Sequence, residues 1–151
     1  MSEALKMIDV SSKPEVVRVS VAEGVIRLRR ETVERIRAGA VEKGDVLAVS
    51  SVAAVLAVKR TPELLPLAHN IPIEWVGVEH ELLEEGVRVR VSVKTTAKTG
   101  AEMEALVGVS AALLTIWDMV KKHEKDELGL YPETRIEGVR VVEKRKEGAG
   151  P

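Results

Sequence analysis

The stretch from Lys98 to Lys122, KTGAEMEALVGVSAALLTIWDMVKK, decides the architecture of this chain because it forms the longest helical pattern in the sequence. Acidic residues Glu102 and Glu104 fall in the first predicted turn, where they complement the positive end of a helix dipole. Apolar residues then recur at steps of three and four, which predicts a helix with one face in the core. The core-facing positions are Leu106, Val109, Leu113, Ile116 and Val120.

The second half of this helix contains an unusual charged group. Asp118 interrupts the apolar run, with Lys121 and Lys122 three and four residues later, within side-chain reach on a helix. Glu104 precedes Asp118 by fourteen residues, a rotation within roughly 40° of the same face. The pattern therefore predicts one helix face that presents Glu104, Asp118 and Lys121. An ordinary surface ion pair is the alternative interpretation of the Asp118–Lys121 spacing.

The flanking segments predict a mixed fold. Val17, Val19 and Val21 alternate with smaller or polar residues as in a half-buried strand, which Glu23-Gly24 interrupts and Val25–Leu28 resumes. This arrangement predicts an α+β fold, an antiparallel sheet with helices packed on one face. The remaining predicted elements are a charged helix over Arg29–Ala38, a buried helix over Val46–Lys59, a short helix with Thr61 as N-cap, a hairpin of Ile71–Leu82 and Gly86–Thr95, and a last strand over Thr134–Val142.

Length and composition exclude several classes of protein. The chain has 151 residues, enough for one domain, which we expect over residues 7–144, between a flexible N-terminus (1–6) and a flexible tail (145–151). The net charge of −1 gives no reason to expect binding to nucleic acid or to a membrane surface. The absence of cysteine excludes disulfides, thiolate catalysis and cysteine-ligated metals.

The N-terminal sequence and the distribution of apolar residues indicate a cytoplasmic protein. The N-terminus is too polar for a signal peptide, and we expect no membrane-spanning segment. Glutamine is absent, and Asn70 is the only asparagine, while glutamate, lysine and arginine are abundant. This bias is typical of hyperthermophile proteins.

Several motifs, in order along the chain, indicate a particular family. The long helix contains Lys98–Leu106 (KTGAEMEAL) and Leu113–Lys121 (LLTIWDMVK), and it is preceded by Lys43-Gly44-Asp45, Lys59-Arg60-Thr61 and Pro66–His69 (PLAH). With these motifs the chain resembles the molybdenum-cofactor biosynthesis protein C family, the cyclic pyranopterin monophosphate synthases, over residues 7–144.

The chain departs from the family pattern at several positions, among them Leu114 beside Thr115, which is a mild change. Trp117 stands where the family usually has tyrosine, and Ala68 stands where it has cysteine. Asn70 follows His69 where proline is usual. If the chain is active, a cysteine in this loop is not essential to the chemistry.

The resemblance implies a function, a fold and an assembly. The family converts (8S)-3′,8-cyclo-7,8-dihydroguanosine 5′-triphosphate, a cyclised dihydro-GTP, into cyclic pyranopterin monophosphate with release of pyrophosphate. This lyase step belongs to molybdenum and tungsten cofactor (molybdopterin) synthesis. The resemblance also implies a ferredoxin-like fold and a homohexamer, a trimer of dimers with active sites between subunits. Two other classes stay open: a guanine-nucleotide-binding regulatory domain without turnover, and a structural oligomerisation module.

The same resemblance implies roles for individual residues. Asp118, Lys121 and Lys43 correspond to catalytic residues, with Lys121 as a general acid or base. No metal-ligand spacing occurs, so we expect neither a cofactor nor a protein-held metal, although Mg²⁺ can accompany the triphosphate or pyrophosphate. The residues expected to bind substrate are Asp9, Arg18, Lys59, Arg60, Leu67, Ala68, His69, Lys98, Thr99, Glu102, Met103, Glu104 and Lys144.

Each of these assignments has a structural alternative. A lysine beside a glycine, as at Lys43, is usually solvated, and cations such as Lys59 and Arg60 stabilise the C-terminus of a helix. A lone loop histidine such as His69 is more often structural. For Glu102 the alternative to substrate binding is a favourable interaction of its charge with the helix dipole.

Overall fold

The computed structural model describes residues 4–147. Their regular structure consists of four strands and four helices. In chain order these are β1 (Val16–Arg27), α1 (Arg30–Arg37), α2 (Val46–Lys59), α3 (Thr61–Leu64), β2 (Trp75–Leu83), β3 (Gly86–Ala97), α4 (Glu102–Glu124) and β4 (Arg135–Glu147).

The strands form one antiparallel sheet in the order β2-β3-β1-β4. Helices α2 and α4 pack against each other, and α4 also contacts β1, β3 and β4. This order, with helices between β1 and β2 and between β3 and β4, is the ferredoxin-like arrangement. The predicted α+β class, with helices on one face of an antiparallel sheet, is confirmed.

The core lies between the sheet and α4. Val87, Val89, Val91 and Val93 of β3 are fully buried, because alternate residues of a strand point to the same face. They meet the predicted stripe of α4, in which Val109, Leu113, Ile116 and Val120 are fully buried and Leu106 packs at the margin. The predicted core-facing positions are therefore correct along the whole length of α4.

Gly24 does not interrupt the first strand, so the predicted break at Glu23-Gly24 was wrong. β1 pairs with β3 without interruption from Val16 to Arg27. A Cβ atom at Gly24 would lie 2.9 Å from Leu113 Cδ1 and 3.0 Å from Val109 Cγ1. The glycine is therefore needed for the close approach of α4 to the sheet, rather than for a turn.

The last strand runs five residues past its predicted end at Val142. Residues 143–147 pair with β1, and the ladder passes through two register shifts. Residues 145–147, predicted as the start of a flexible tail, therefore belong to the strand. Residues 148–151 lie outside the described part of the chain, as do residues 1–3. Residues 4–10 contain no helix or strand.

The N-terminal end of α3 differs from the prediction, whereas α2 begins with an aspartate cap. Asp45 caps α2, and its Oδ1 accepts a hydrogen bond from Ala48 N at 3.1 Å. Thr61 is not the N-cap of α3 but its first helical residue, and its hydroxyl donates to Ala57 O at 3.0 Å. This bond ties α3 to the last turn of α2.

Glu124 fixes the C-terminal end of α4. Its side chain is fully buried and accepts hydrogen bonds from Arg29 N, from the Thr32 hydroxyl and, at 2.7 Å, from the Thr134 hydroxyl. The carboxylate thus joins α4 to the start of α1 and to the segment before β4. A buried carboxylate is stable only when it is hydrogen-bonded in this way.

Helix α4 is long and apolar enough to span a membrane by length and composition alone, with a mean hydropathy of 1.5. The sequence-based expectation of no membrane-spanning segment did not take this helix into account. Half of the qualifying window is buried inside the fold, which is the behaviour of a core helix.

Candidate active site

Helix α4 carries a cluster of charged residues near its C-terminal end. The Asp118 carboxylate lies between two lysines: Lys121 Nζ is 3.1 Å from Oδ1, and Lys43 Nζ is 3.3 Å from Oδ2. Lys43 also donates to the backbone carbonyl of Asp118 at 3.0 Å. Lys43 precedes a turn at Gly44, and the φ of +117° at Gly44 favours glycine.

The two lysines set the protonation state of Asp118. Hydrogen bonds from Lys121 and then from Lys43, followed by their charges, lower the pKa of the Asp118 carboxyl below its ordinary value. Lys122 does not join the cluster, because it pairs with Glu42 at 2.6 Å. The cluster is solvent-accessible and holds one carboxylate and two ammonium groups, a set that can transfer protons.

A cavity of about 390 Å³ lies at the opposite end of α4. It is formed where the β3–α4 turn and the first turn of α4 meet the loop after α3. Nine of the predicted substrate-binding residues line it. They are Arg18, Ala68, His69, Lys98, Thr99, Glu102, Met103, Glu104 and Lys144, and they are joined by Lys13 and Gly100.

Hydrogen bonds from distant parts of the chain hold the walls of this cavity. Arg18 of β1 donates to the carbonyl oxygens of Ala97 and Lys98, each at 3.4 Å, and so fixes the β3–α4 turn. His69 Nε2 donates to Ile8 O at 2.6 Å, which ties the N-terminal segment to the loop. A carbonyl oxygen can only accept, so Nε2 is the donor in this contact.

The cavity contains more positive than negative charge. Lys13, Arg18, Lys98 and Lys144 contribute cations, and Lys144 Nζ pairs with Glu102 at 2.5 Å. Arginine and lysine in such a group form charge-assisted hydrogen bonds to phosphate oxygens. The electrostatics of the cavity thus favour a polyanionic ligand.

The two glutamates of the cavity differ in their electrostatics. Burial raises the pKa of the Glu104 carboxyl above its ordinary value, against a smaller opposing effect of its own backbone hydrogen bond. Burial acts in the same direction on Glu102, but the hydrogen bond from Lys144 and further favourable contacts outweigh it and lower the pKa. Glu104 is 4% exposed, so the cavity has a nearly buried carboxyl group beside the cations.

Four predicted substrate-binding residues do not line the cavity. Leu67 and the pair Lys59 and Arg60 are exposed to solvent outside it. Lys59 and Arg60 end α2, whose Val58 packs against α4 at Gly108, so they lie at the same end of the molecule as the cavity. The fourth, Asp9, accepts a hydrogen bond from Ser11 N at 2.9 Å.

Lys13 is the charged cavity residue that sequence reasoning missed. It lies in an irregular N-terminal segment and belongs to none of the motifs. The segment is held near the cavity by Lys98 Nζ, which donates to Ser11 O at 3.3 Å. Only the tertiary contacts bring Lys13 to this place, so the sequence contained no signal for it.

The cavity and the charged cluster are separate within one chain. Glu104 and Asp118 are fourteen residues apart on α4, which is about 21 Å along a helix axis. The predicted face that presents Glu104, Asp118 and Lys121 together is therefore split between two ends of the helix. A single small molecule bound to one chain does not reach both groups.

No group of three or more histidine, aspartate or glutamate side chains within residues 4–147 is arranged to hold a metal ion. His80 does not line the cavity that contains His69. Its Nε2 lies 2.6 Å from the hydroxyl of buried Ser50. The expectation of no protein-held metal stays a prediction.

Comparison with known proteins assigns the family. The family model described as the MoaC family matches residues 7–148 of the chain. The chain belongs to the MoaC family. The match includes the whole of the sheet, the charged cluster and the cavity, and it agrees with the resemblance inferred from the motifs.

Three relatives illustrate the similarity, each named a probable cyclic pyranopterin monophosphate synthase. The protein of Aeropyrum pernix is 64% identical over 93% of this chain and 96% of its own length. That of Sulfurisphaera tokodaii is 57% identical over 97% of this chain and 96% of its own length. That of Thermococcus onnurineus is 56% identical over 96% of this chain and 93% of its own length.

Proposed function

We propose that this chain is a cyclic pyranopterin monophosphate synthase. It would convert (8S)-3′,8-cyclo-7,8-dihydroguanosine 5′-triphosphate into cyclic pyranopterin monophosphate and pyrophosphate, a lyase step of molybdenum and tungsten cofactor synthesis. The observation that carries the proposal is the Lys43–Asp118–Lys121 cluster in a chain that also has a cationic cavity. Relatives with this name cover nearly the whole chain.

The reaction requires proton transfers and one phosphoryl transfer. Protons move at the purine ring and the sugar, and a ribose-derived hydroxyl then attacks the α-phosphorus. A new phosphorus–oxygen bond forms to that hydroxyl, the bond to the pyrophosphate oxygen breaks, and the hydroxyl proton passes to a base. General acid–base groups and a cationic clamp are sufficient for these steps.

Each group has a proposed role. Lys121 is the general acid or base, Lys43 is a second proton-transfer group, and Asp118 holds both ammonium groups in place. His69, Met103 and Glu104 contact the pterin or ribose part. The phosphates are bound by Arg18, Lys98 and Lys144 in the cavity, assisted by Lys59 and Arg60, which lie outside it at the same end of the molecule. Mg²⁺ accompanies the polyphosphate.

We further propose that a second copy of the chain completes each site. An exposed stripe follows one side of α4 and passes through Met103, Val107, Ser110, Leu114 and Asp118, with side chains that are exposed or partly exposed. Small residues near its middle permit close helix packing. If two α4 helices pack antiparallel with a two-fold axis near residue 111, Asp118 of each chain lies opposite Glu104 of the other.

Exposed apolar side chains support this assembly. Val52 and Leu56 on α2 and Leu114 on α4 are between 47% and 68% exposed, an unusual fraction for large apolar residues on adjacent helices. Covering them requires another protein surface. The hexamer and the cytoplasmic location expected from the resemblance belong to the same proposal.

A single-turnover assay tests the function. The purified chain is mixed with enzymatically prepared cyclised dihydro-GTP, and both pyrophosphate and the oxidised fluorescent pterin are measured. We expect product from the wild type and none from a folded Lys121→Ala variant. Tight nucleotide binding without product would instead favour the regulatory domain, and absence of binding would leave only the structural module.

Mixing two inactive variants tests the shared site. Lys121→Ala and Glu104→Gln remove groups at opposite ends of α4. If each site combines both ends from different chains, unfolding and refolding the two variants together recovers about a quarter of the wild-type activity, because mixed dimers keep one intact site. No recovery from folded, mixed dimers would mean that each site lies within one chain.

A further inference from the structure

The carboxylate of Glu124 connects two helices in the interior of the fold. Glu124 is the last residue of α4, and its side chain is fully buried. Its Oε2 accepts hydrogen bonds from Arg29 N at 3.1 Å and from the hydroxyl of Thr32, which is 1% exposed. Its Oε1 accepts from the Thr134 hydroxyl at 2.7 Å. Since water does not compete for these buried bonds, they hold the start of α1 firmly against the end of α4.

Helix α1 also takes its N-terminal cap from this carboxylate. Arg29, at the N-cap position of α1, makes no capping hydrogen bond with its own side chain. The Glu124 carboxylate accepts from the backbone N–H of Arg29 instead and brings a negative charge to the positive end of the helix dipole. In return, Arg29 Nη2 donates to Glu124 O at 3.4 Å, and this satisfies a carbonyl group at the C-terminal end of α4. The two helix ends therefore stabilise each other.

The connection from α1 to Lys43 is short and compact. Ala40 N donates to Arg35 O at 2.8 Å, which closes the last turn of α1. Val41 is 7% exposed and belongs to the core, and Gly44 N donates to Val41 O at 3.1 Å. Because these contacts hold the connection against α1, a shift of α1 relative to α4 would also shift Lys43.

The contact between Lys43 and Asp118 depends on the relative position of α1 and α4. The two side chains are 49% and 59% exposed, and an ion pair with that exposure contributes little to holding the elements together. The same is true of the exposed pair of Lys122 and Glu42 at 2.6 Å. The buried hydrogen bonds of Glu124 are much less screened by water and salt. They therefore determine the geometry that the exposed pairs follow.

We propose that Glu124 is a positioning residue for catalysis: its buried carboxylate fixes α1 against the end of α4 and thereby places the Lys43 ammonium on Asp118. This inference rests on the proposed function, in which Lys43 transfers a proton. Glu124 does not itself touch the substrate, since it is fully buried and lies about 9 Å beyond Asp118 along the helix axis. The contact of Lys121 with Asp118 lies within α4, so Glu124 acts through Lys43.

Kinetics of Glu124→Gln test the proposal. The amide has nearly the size of the carboxyl group, but it offers one acceptor oxygen in place of two and cannot keep all of these hydrogen bonds. We expect the single-turnover rate at saturating substrate to fall about 10-fold to 100-fold, as for a small displacement of a reacting group, while half-saturation stays within about twofold. Thr32→Val removes only the hydroxyl that joins α1 to the carboxylate. It should show a smaller loss of the same kind, and it tests the proposal if Glu124→Gln does not fold.

A double-mutant cycle identifies the group through which Glu124 acts. If Glu124 places Lys43, then Glu124→Gln should change the rate of a Lys43→Ala variant by less than about twofold. An equal loss of rate in both backgrounds would overturn the proposal, because Glu124 would then act independently of Lys43. A wild-type rate in folded Glu124→Gln would overturn it as well.

Val91→Ala is the control for a general loss of stability. Val91 is fully buried on β3 and lies against Gly108, about 15 Å along α4 from Asp118. Removal of its methyl groups should lower the Tm, as Glu124→Gln does, but the single-turnover rate should stay within about twofold of the wild type. A rate loss that follows the Tm in both variants would mean that Glu124 is only structural.

The titration of Asp118 tests the placement of Lys43 without turnover. Hydrogen bonds from Lys121 and then from Lys43 hold the pKa of the Asp118 carboxyl below its ordinary value. In Glu124→Gln the pKa should rise toward that of Lys43→Ala, which is measured from the carboxyl carbon resonance of Asp118 as a function of pH. An unchanged pKa in the folded variant would overturn the proposal. A raised pKa in a chain whose wild type has no turnover would overturn the proposed function alone.

Discussion

Lys43 and Asp118 are 75 residues apart in the sequence, yet the Lys43 ammonium contacts both the carboxylate and the backbone carbonyl of Asp118. This double contact fixes a residue from the turn before α2 on the surface of α4. Lys121 approaches the same carboxylate from the following turn of the helix. The result is a pair of ammonium groups at a fixed position, held by one carboxylate.

Removal of Lys43 should abolish most of the turnover. We expect Lys43→Ala to lower the single-turnover rate by about 100-fold or more, the usual contribution of a positioned acid–base group. Lys122→Ala is the matched control, because Lys122 is also a lysine on this surface but pairs with Glu42 instead. Near-full turnover in Lys43→Ala would contradict the assignment.

Lys13 should contribute to substrate affinity without a role in the chemistry. Loss of one charge-assisted contact to phosphate costs about 1.5–3 kcal/mol. We therefore expect Lys13→Ala to raise KM roughly 10-fold to 100-fold while kcat stays within about twofold. Lys125→Ala, an exposed lysine just after α4, is the control; equal effects of the two variants would mean that Lys13 acts only through net charge.

Glu104 should make the stability of the protein depend on pH. Since its pKa is higher in the folded protein than in the unfolded chain, the folded state is relatively favoured below the unfolded value and loses that advantage as pH rises through the folded value. Glu104→Gln removes this loss. We expect the Tm of Glu104→Gln to exceed that of the wild type at neutral pH and to approach it at pH about 4.

The measurement is the difference in Tm between the two proteins from acidic to neutral pH. A constant difference would contradict the prediction, because it would mean that the carboxyl group titrates alike in both states. Glu127→Gln serves as the control at an exposed position and should show no such trend.

Gly24 should be intolerant of any side chain. A Cβ atom there would lie within 2.9–3.0 Å of Leu113 and Val109, which are fully buried on α4, and of Val139 on β4. We expect Gly24→Ala to lower the free energy of unfolding by about 1–3 kcal/mol, measured by denaturant titration. Gly77→Ala is the comparison: its Cβ would meet only the exposed Trp75 ring, which can rotate away, so a cost as large as that of Gly24→Ala would contradict the packing argument.

Much of the fold could be predicted because it depends on local patterns. The buried stripe of α4 follows from its helical period, and the β2–β3 hairpin follows from alternation on both sides of Glu84-Glu85. Predictions based on a single residue type were less reliable. Gly24 was interpreted as a strand break because the sequence does not show the helix that crosses above it.

The sequence predicted most of the residues that line the site, but it predicted their relative positions only in part. Nine of the thirteen expected substrate-binding residues line the cavity, since motifs preserve the identities of residues that lie together. The position of Asp118 relative to Glu104 was misjudged, because a shared helix face does not imply a short distance. The catalytic and binding roles themselves stay predictions until variants are measured.

The sequence by itself determined the family, the antiparallel α+β fold and the chemical groups of the site, because helical and strand periods and motif residues are properties of neighbouring positions. The tertiary structure alone decided which distant groups meet. It placed Lys43 on Asp118, Arg18 and Lys13 at the cavity, and the Glu124 carboxylate at the start of α1. These contacts join residues far apart in the chain, and their geometry depends on how the sheet and α4 pack.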